Sequence, residues 1–129
     1  MTTIAVTGHV NITEASIPLI RRDLLALLAR YPASELTGVS CLAAGADAVF
    51  ADAVLTAGGR LIGVLPSADY RQRMVDAGYA AEFDRLCRAA AEVKVMPYQR
   101  ATTSAYAAAN RFLLGRAQLL VAIWDGQLL

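Results

Sequence analysis

Cysteine and histidine are scarce in this sequence, which has two cysteines and one histidine among 129 residues. Cys41 and Cys87 lack the short spacing that binds a metal or forms a redox pair. Because no export signal precedes them, we expect both to be reduced thiols in a cytoplasm. For Cys41, a small buried side chain is a more common role than a reactive thiol. The sequence therefore predicts no metal site and no required cofactor.

Charge is also scarce, since charged residues make up 18% of the chain and the net charge is +1. Bulk charge therefore gives no reason to expect nucleic acid or a membrane as a partner. The longest apolar run, residues 119–124, is too short to span a bilayer. The N-terminal MTTIAVTGHV has no basic segment ahead of its apolar stretch, so it is not a signal peptide. We expect a cytoplasmic protein.

Apolar residues are abundant at 57% of the chain, and its length fits one domain over residues 1–129. Such a bias suits a sheet buried on both faces, or a subunit that hides surface in an oligomer. Five apolar runs alternate with four helical patterns, the third of which is irregular around Gly78. This alternation predicts an α/β fold, a parallel sheet with helices on both faces. The predicted strands are residues 3–7, 36–41, 60–65, 92–96 and 118–124.

Helix boundaries are marked by residues that commonly start or end helices. Ser16 and Pro18 predict the start of the first helix, and Gly58-Gly59 the end of the second. The run Thr102 to Ser104 offers N-caps for a last helix that reaches about Gly115.

In open parallel sheets, ligands bind outside the carboxyl ends of the strands, near the point where strand order reverses. The loop after the first strand, TGHVNIT, has three candidate ligand residues. Gly8 permits a tight turn and a close approach of backbone to ligand. His9 can donate to a phosphate or carry a proton, or it can simply cover the end of the sheet. Asn11 can offer a ligand amide or cap a local turn.

The loop after the second strand, SCLAAGAD, gives more specific evidence for a ligand site. Ala44 and Gly45 leave the amides at the next helix N-terminus uncovered, which makes a natural anion site. Asp47 would repel a phosphate on that end, so it either holds a ribose hydroxyl or only complements the helix dipole.

Further candidates lie in the loop after the third strand. Pro66 can shape a pocket wall and Tyr70 can stack on a base. Arg71 and Arg73 can meet phosphate, or belong to a solvated helix start. No carboxylate pair, Ser/His/Asp order, Walker loop or GxGxxG motif marks a catalytic site.

Several of these segments together resemble the SLOG superfamily, Rossmann-like domains related to Smf/DprA proteins and LOG-type phosphoribohydrolases. The similarity is greatest to small bacterial YpsA-like members. The matching segments are TGHVN, SCLAAGADAVFADAVL, IGVLPSADY, NRFLL and LLVAIWDG. The resemblance implies a Rossmann-like three-layer α/β/α fold, a nucleotide-derived ligand at the carboxyl edge of the sheet, and a homodimer. It assigns ligand-binding roles to Gly8, His9, Ala44, Gly45, Asp47, Pro66, Tyr70, Asn110, Arg111, Asp125 and Gly126.

The sequence departs from this family at three places. Val10 replaces a common cation, and Gln118 replaces an aspartate. Relatives also continue beyond Trp-Asp-Gly into a Gly-Gly-Thr turn that cradles phosphate, followed by a helix, so we expect a domain truncated after its fifth strand. Loss of that helix would expose apolar surface, extended by Leu128-Leu129, which a second subunit could cover.

Three functions follow from the sequence, of which ligand binding without catalysis is favoured. The second is hydrolysis of an N-glycosidic bond in a nucleoside monophosphate, but the PGGxGTxxE motif of the LOG enzymes is absent. The third is single-stranded DNA binding, which a net charge of +1 and the lack of a basic stripe disfavour.

Overall fold

The computed structural model of the protein describes residues 1–8 and 10–124. His9, Asp125 and Gly126, all predicted ligand residues, and the Leu128-Leu129 pair lie outside the described residues. The described strands are β1 Thr2–Gly8, β2 Leu36–Ser40, β3 Arg60–Leu65, β4 Glu92–Val95 and β5 Leu119–Ile123. The helices are α1 Ile17–Leu28, α2 Ala46–Thr56, α3 Tyr70–Met74, α4 Ala80–Ala89 and α5 Thr103–Arg116, with a 3₁₀ turn at Ala33–Glu35.

All five strands are parallel and form one sheet in the order β4-β3-β2-β1-β5. The chain adds β2, β3 and β4 on one side of β1 and then returns to place β5 on the other side. In register, Val6 of β1 lies opposite Val121 of β5, and Ala5 lies opposite Val39 of β2. Strand order therefore reverses between β1 and β5. The predicted Rossmann-like parallel sheet is confirmed.

Helices cover both faces of the sheet. Neighbouring residues of a strand point to opposite faces, so each strand contributes to two separate cores. Ile4 and Val6 of β1 belong to the core under α1, α2 and α4. Ala5, between them, belongs to a second core under α5, where Ala109 and Leu113 are buried. One face thus carries α1, α2 and α4, with Tyr70 of α3 in the same core, and the other face carries α5.

The helix ends follow the residues that predicted them. Ser16 is the N-cap position of α1, with Pro18 in its first turn. The hydroxyl of Thr102 accepts a 3.2 Å hydrogen bond from the Ala105 amide and so caps α5. The irregular third pattern is two helices, since α3 ends at Met74 and α4 begins at Ala80, after Gly78.

Apolar side chains remain exposed around the β5 edge of the sheet. Leu114, Leu120 and Trp124 are each about half exposed, at 56%, 45% and 57%. Within residues 1–8 and 10–124, no helix combines the length and apolarity needed to cross a membrane.

Candidate functional site

A cleft of about 280 Å³ lies at the carboxyl edge of the sheet. We call it the tyrosine-lined cleft because three tyrosines form much of its wall. It collects residues from the loops after β1 and β2, from α3 and the segment between α3 and α4, and from the first turn of α5. Its lining residues are Val10, Ala43, Ala44, Tyr70, Met74, Val75, Asp76, Tyr79 and Tyr106.

The floor of this cleft is the loop between β2 and α2. Leu42 adopts a left-handed backbone conformation, with φ of 59°, while its side chain is fully buried. Such a conformation is strained for leucine, so the surroundings must hold it in place. The Ser40 hydroxyl accepts from the Leu42 amide at 3.0 Å and donates to the Asp47 carbonyl at 3.1 Å. The Tyr79 hydroxyl donates to the Leu42 carbonyl at 2.7 Å. The loop therefore presents Ala43 and Ala44 from a fixed backbone.

Ring contacts hold all three tyrosines, and of the three Tyr79 adds a side-chain hydrogen bond to these contacts. Tyr70 packs edge-on against Tyr106, with ring centroids 6.4 Å apart, and at 6.1 Å from Phe83. Tyr79 packs edge-on against the same Phe83 at 6.2 Å. Burial raises the pKa of both Tyr70 and Tyr79, so both hydroxyls are neutral donors near physiological pH. Tyr70 is 5% exposed, whereas Tyr106 is only half-buried and offers more ring surface to a ligand.

Asp47 lies in the first turn of α2 and accepts a hydrogen bond from the Ala43 amide. Burial raises the pKa of its carboxyl to about 7, although the Ala43 hydrogen bond opposes the shift. Burial also raises the pKa of the neighbouring Cys41 thiol to about 12, with the charge of Asp47 adding to the effect. The loop that carries Ala43 and Ala44 is thus flanked by an acid with a pKa of about 7 and a thiol that stays protonated, and neither of these side chains lines the cleft.

Two predicted glycines have structural reasons for their identity. Gly45 precedes α2 with φ of 85°, a conformation that L side chains rarely adopt. A Cβ at Gly8 would lie 2.6 Å from the Ala46 Cβ and 2.6 Å from the Ile123 carbonyl oxygen. The close approach at Gly8 is therefore to the protein's own α2 and β5.

The remaining predicted residues are not gathered at the tyrosine-lined cleft. Asn11 lines another cleft of about 330 Å³, which also includes Ile12, Ser16 and Trp124. Asn110 lines a groove of about 200 Å³ between α5 and β5. Arg111 is exposed, and Pro66 is buried. Of the twelve candidates, the structure brings Ala44 and Tyr70 into one cleft, with Gly45 and Asp47 in the loop and helix turn that follow Ala44.

The two arginines after β3 have different surroundings. Arg71 donates two hydrogen bonds to the Asp84 carboxylate, at 2.8 and 2.7 Å, and so joins α3 to α4. This pairing lowers the pKa of Asp84 and raises that of Arg71. Arg73 instead lines a separate cleft with Arg100. Arg73 is therefore available to bind phosphate, as predicted. Arg71 is not available while its ion pair with Asp84 is intact.

Tyr79 and Tyr106 were missed by sequence reasoning. Tyr79 fits the helical period of α4, and Tyr106 follows a strong run of N-cap residues, so each has an ordinary explanation. The order of strands and helices could have indicated Tyr106, because the first turn of a helix that follows a parallel strand lies at the carboxyl edge of the sheet.

The described residues contain no group of three or more His, Cys, Asp or Glu side chains that could hold a metal ion. Cys41 and Cys87 are both free thiols. The tyrosine-lined cleft at the carboxyl edge is a concave, mostly apolar surface with a few fixed polar groups, features that small-ligand pockets commonly share.

Comparison with known proteins gives matches in structure alone, as no family model and no curated protein matches the sequence. DNA processing protein A (DprA) from Streptococcus pneumoniae matches with a TM-score of 0.67 at 20% identity, over 94% of this chain and 41% of that one. DprA from Helicobacter pylori, whose structure concerns a unique single-stranded DNA binding mode, matches at 0.69 with 15% identity, over 98% and 56%. The structural genomics target TM1055 matches at 0.60 with 18% identity, over 95% and 61%.

At these identities the likeness establishes the fold. The chain spans about half the length of the matched structures, 41–61% of each. The agreement with the two DprA structures and TM1055 supports the Rossmann-like parallel α/β fold that the sequence predicted.

Proposed function

We propose that the protein binds a nucleotide or a nucleotide-derived small molecule in the tyrosine-lined cleft, and that it is a binding domain. The observation that carries this proposal is the grouping of Tyr70, Tyr79 and Tyr106 around the fixed Ala43-Ala44 backbone at the carboxyl edge of a parallel sheet. Aromatic rings stack on any base, and exposed backbone groups can read its polar edge.

The volume of the cleft limits the size of the ligand that it can hold. Pockets for drug-sized ligands are roughly 300–1,000 Å³, so a cleft of about 280 Å³ is at the small end. That volume suits one nucleoside unit better than a whole dinucleotide. Any further part of the ligand would have to extend along the sheet edge.

Hydrolysis of an N-glycosidic bond is the second candidate, and Asp47 is the observation that favours it. A general acid works best when its pKa lies near the operating pH, and the pKa of Asp47 is about 7. Asp47 does not line the cleft, and Asp76, the one carboxylate among its described lining residues, is exposed to solvent. Binding is favoured because the lining residues within the described chain include no buried carboxylate to stabilise an oxocarbenium ion.

The proposal can be tested by thermal unfolding of the protein with AMP, ADP, ATP, NAD, ADP-ribose and cyclic nucleotides. A ligand at a hundred times its dissociation constant stabilises the folded state by about 2.7 kcal/mol, a shift of several degrees. We expect a shift with at least one of them. Assay of the same mixture for released base then distinguishes binding from hydrolysis. Absence of any shift across the whole panel would contradict the proposal.

A matched pair of variants locates the site. Tyr106→Ala removes a half-buried ring from the cleft, while Tyr31→Ala removes a half-buried ring that packs on the core under α1, α2 and α4. We expect the ligand-induced shift to be lost in Tyr106→Ala and kept in Tyr31→Ala. Equal loss in both variants would assign the effect to general destabilisation.

We also propose a homodimer, and a place among the YpsA-like members of the superfamily. The exposed Leu114, Leu120 and Trp124 support a self-association surface near β5, since such side chains favour burial against a partner. Light scattering at micromolar concentration measures the mass, and a monomeric value would refute the dimer.

A further inference from the structure

A second cleft, of about 390 Å³, lies along the same carboxyl edge, between the loops after β3 and β4. We call it the arginine-lined cleft. Its lining residues are Asp69, Arg73, Met74, Arg100, Ala101 and Thr102. Met74 lines the tyrosine-lined cleft as well. The charge of Asp69 also contributes to the raised pKa of Tyr106, which places the carboxylate near that ring. The two clefts therefore adjoin.

The two arginines of this cleft differ from the paired arginines of the molecule. Arg21, Arg71 and Arg85 each contact a carboxylate on a different element of the fold. Arg73 and Arg100 have no carboxylate within ion-pair distance among residues 1–8 and 10–124, and both side chains are exposed. Two cations without a protein counterion in one concave surface are suited to an anionic ligand.

Asp69, the one carboxylate of the arginine-lined cleft, is engaged by the protein itself. Its Oδ1 accepts from the Ser67 hydroxyl at 2.7 Å and from the Ala101 amide at 3.0 Å. The carboxylate therefore joins the loop after β3 to the loop after β4. Its negative charge offsets one of the two arginine charges that line the cleft, so two positive charges against one negative charge leave the cleft net positive.

The backbone beneath both arginines is fixed. The Ala68 amide donates to the Tyr98 carbonyl at 2.9 Å, and the Asp69 amide donates to the Gln99 carbonyl at 3.3 Å. The Arg73 amide donates to the Asp69 carbonyl at 3.0 Å. Arg73 of α3 and Arg100 of the loop after β4 thus project from two segments that backbone hydrogen bonds join.

We propose that the arginine-lined cleft binds the phosphate of a ligand whose base occupies the tyrosine-lined cleft, with the ligand passing over Met74. This inference rests on the proposed function and names its ligand class, a phosphorylated nucleoside. It places the phosphate between the β3 and β4 loops rather than on the amides at the start of α2. Asp47, which lies in that first turn, then does not face the phosphate.

The test compares AMP with adenosine, and GMP with guanosine, by isothermal titration calorimetry at low salt. Charge-assisted hydrogen bonds to phosphate should make the monophosphate bind about tenfold or more tightly than its nucleoside. In the double variant Arg73→Gln/Arg100→Gln we expect that preference to fall to about unity, with nucleoside affinity unchanged. The control is Arg88→Gln/Arg116→Gln, which removes the same charge from exposed positions outside both clefts and should keep the preference.

The outcomes separate the two proposals. If nucleosides bind but the phosphate preference survives in Arg73→Gln/Arg100→Gln, the arginine-lined cleft is not the phosphate site and the base site stands. If neither nucleosides nor monophosphates bind, the proposed function fails, and this inference fails with it. A thymidine decanucleotide, compared with TMP, identifies the source of the phosphate. Tighter binding of the decanucleotide that depends on Arg73 and Arg100 would support the phosphate site and assign it to a single strand.

Discussion

The hydroxyl of Tyr79 donates a 2.7 Å hydrogen bond to the carbonyl of Leu42, a residue held in a left-handed conformation at the floor of the tyrosine-lined cleft. The bond joins the segment before α4 to the loop after β2, which are far apart in sequence. It supplies the polar partner of a strained and buried turn. Tyr79 is therefore both a wall of the cleft and the support of its floor.

Replacing Tyr79 by phenylalanine removes this bond and leaves the ring in place. We expect a loss of about 1–3 kcal/mol in the free energy of unfolding, because the Leu42 carbonyl would lose its partner in a partly buried site. Urea denaturation measures the change. The control is Tyr98→Phe, since the half-buried Tyr98 makes no side-chain hydrogen bond within residues 1–8 and 10–124. Equal effects in the two variants would show that the Tyr79 bond does not support the loop.

The stability of the protein should depend on the protonation of Asp47. Its pKa is raised by burial from an ordinary value of 3.8 to about 7, so the folded protein binds this proton more tightly than the unfolded chain does. The stabilisation is fully present below about pH 3.8 and is lost as pH rises through about 7. It amounts to at most about 4 kcal/mol, since each pKa unit corresponds to about 1.4 kcal/mol.

Asp47→Asn tests this dependence, because the amide stays neutral and can still accept from Ala43. We expect the variant to be more stable than the parent at pH 8 and to lack the decline between about pH 4 and 7. Asp23→Asn, at a carboxylate whose side chain is 76% exposed, should keep the parent's profile. A decline of the same size in Asp47→Asn would show that another group causes it. Denaturant titrations at a series of pH values supply the data.

The fold was readable from the sequence because its signals are local. Five apolar runs predicted five parallel strands, and Ser16, Gly58 and Thr102 marked helix ends that the structure contains. Even the break near Gly78 was visible as an interruption of the helical period. Buried parallel strands and capped helices leave such marks within a few residues of the element itself.

The site was only partly readable, because it depends on contacts between distant segments. Ala44 and Tyr70 were predicted, since loops at strand ends can be located from the strands. Tyr106 was not, because α5 lies on the face of the sheet opposite α1, α2 and α4, and only the packing of the whole domain brings Tyr106 of its first turn against Tyr70. The bond between Arg71 and Asp84 depends on how α3 packs against α4, which no local pattern encodes.

Gly8 should tolerate no side chain, although it was predicted as a ligand position. In Gly8→Ala the new Cβ would lie 2.6 Å from both the Ala46 Cβ and the Ile123 carbonyl oxygen, so α2 or β5 must shift. We expect a loss of about 1–3 kcal/mol in stability by overpacking. Gly115→Ala is the matched control, since no atom lies within 4 Å of its Cβ, and the helical position should gain about 0.5–1 kcal/mol. Thermal unfolding of both variants decides, and a Gly8→Ala protein as stable as the parent would contradict the packing.

The two free thiols should differ in reactivity. The thiolate is the nucleophile, and burial together with the charge of Asp47 raises the pKa of Cys41 to about 12. The pKa of Cys87 is raised as well, by desolvation first, but nearby Arg71 and Arg88 oppose the shift. We expect iodoacetamide at pH 8 to label Cys87 while Cys41 stays protected until the protein unfolds. Mass spectrometry of Cys41→Ser and Cys87→Ser after timed labelling measures each thiol alone. Faster labelling of Cys41 than of Cys87 in the folded protein would show that the loop after β2 opens, and that the floor of the tyrosine-lined cleft is not fixed.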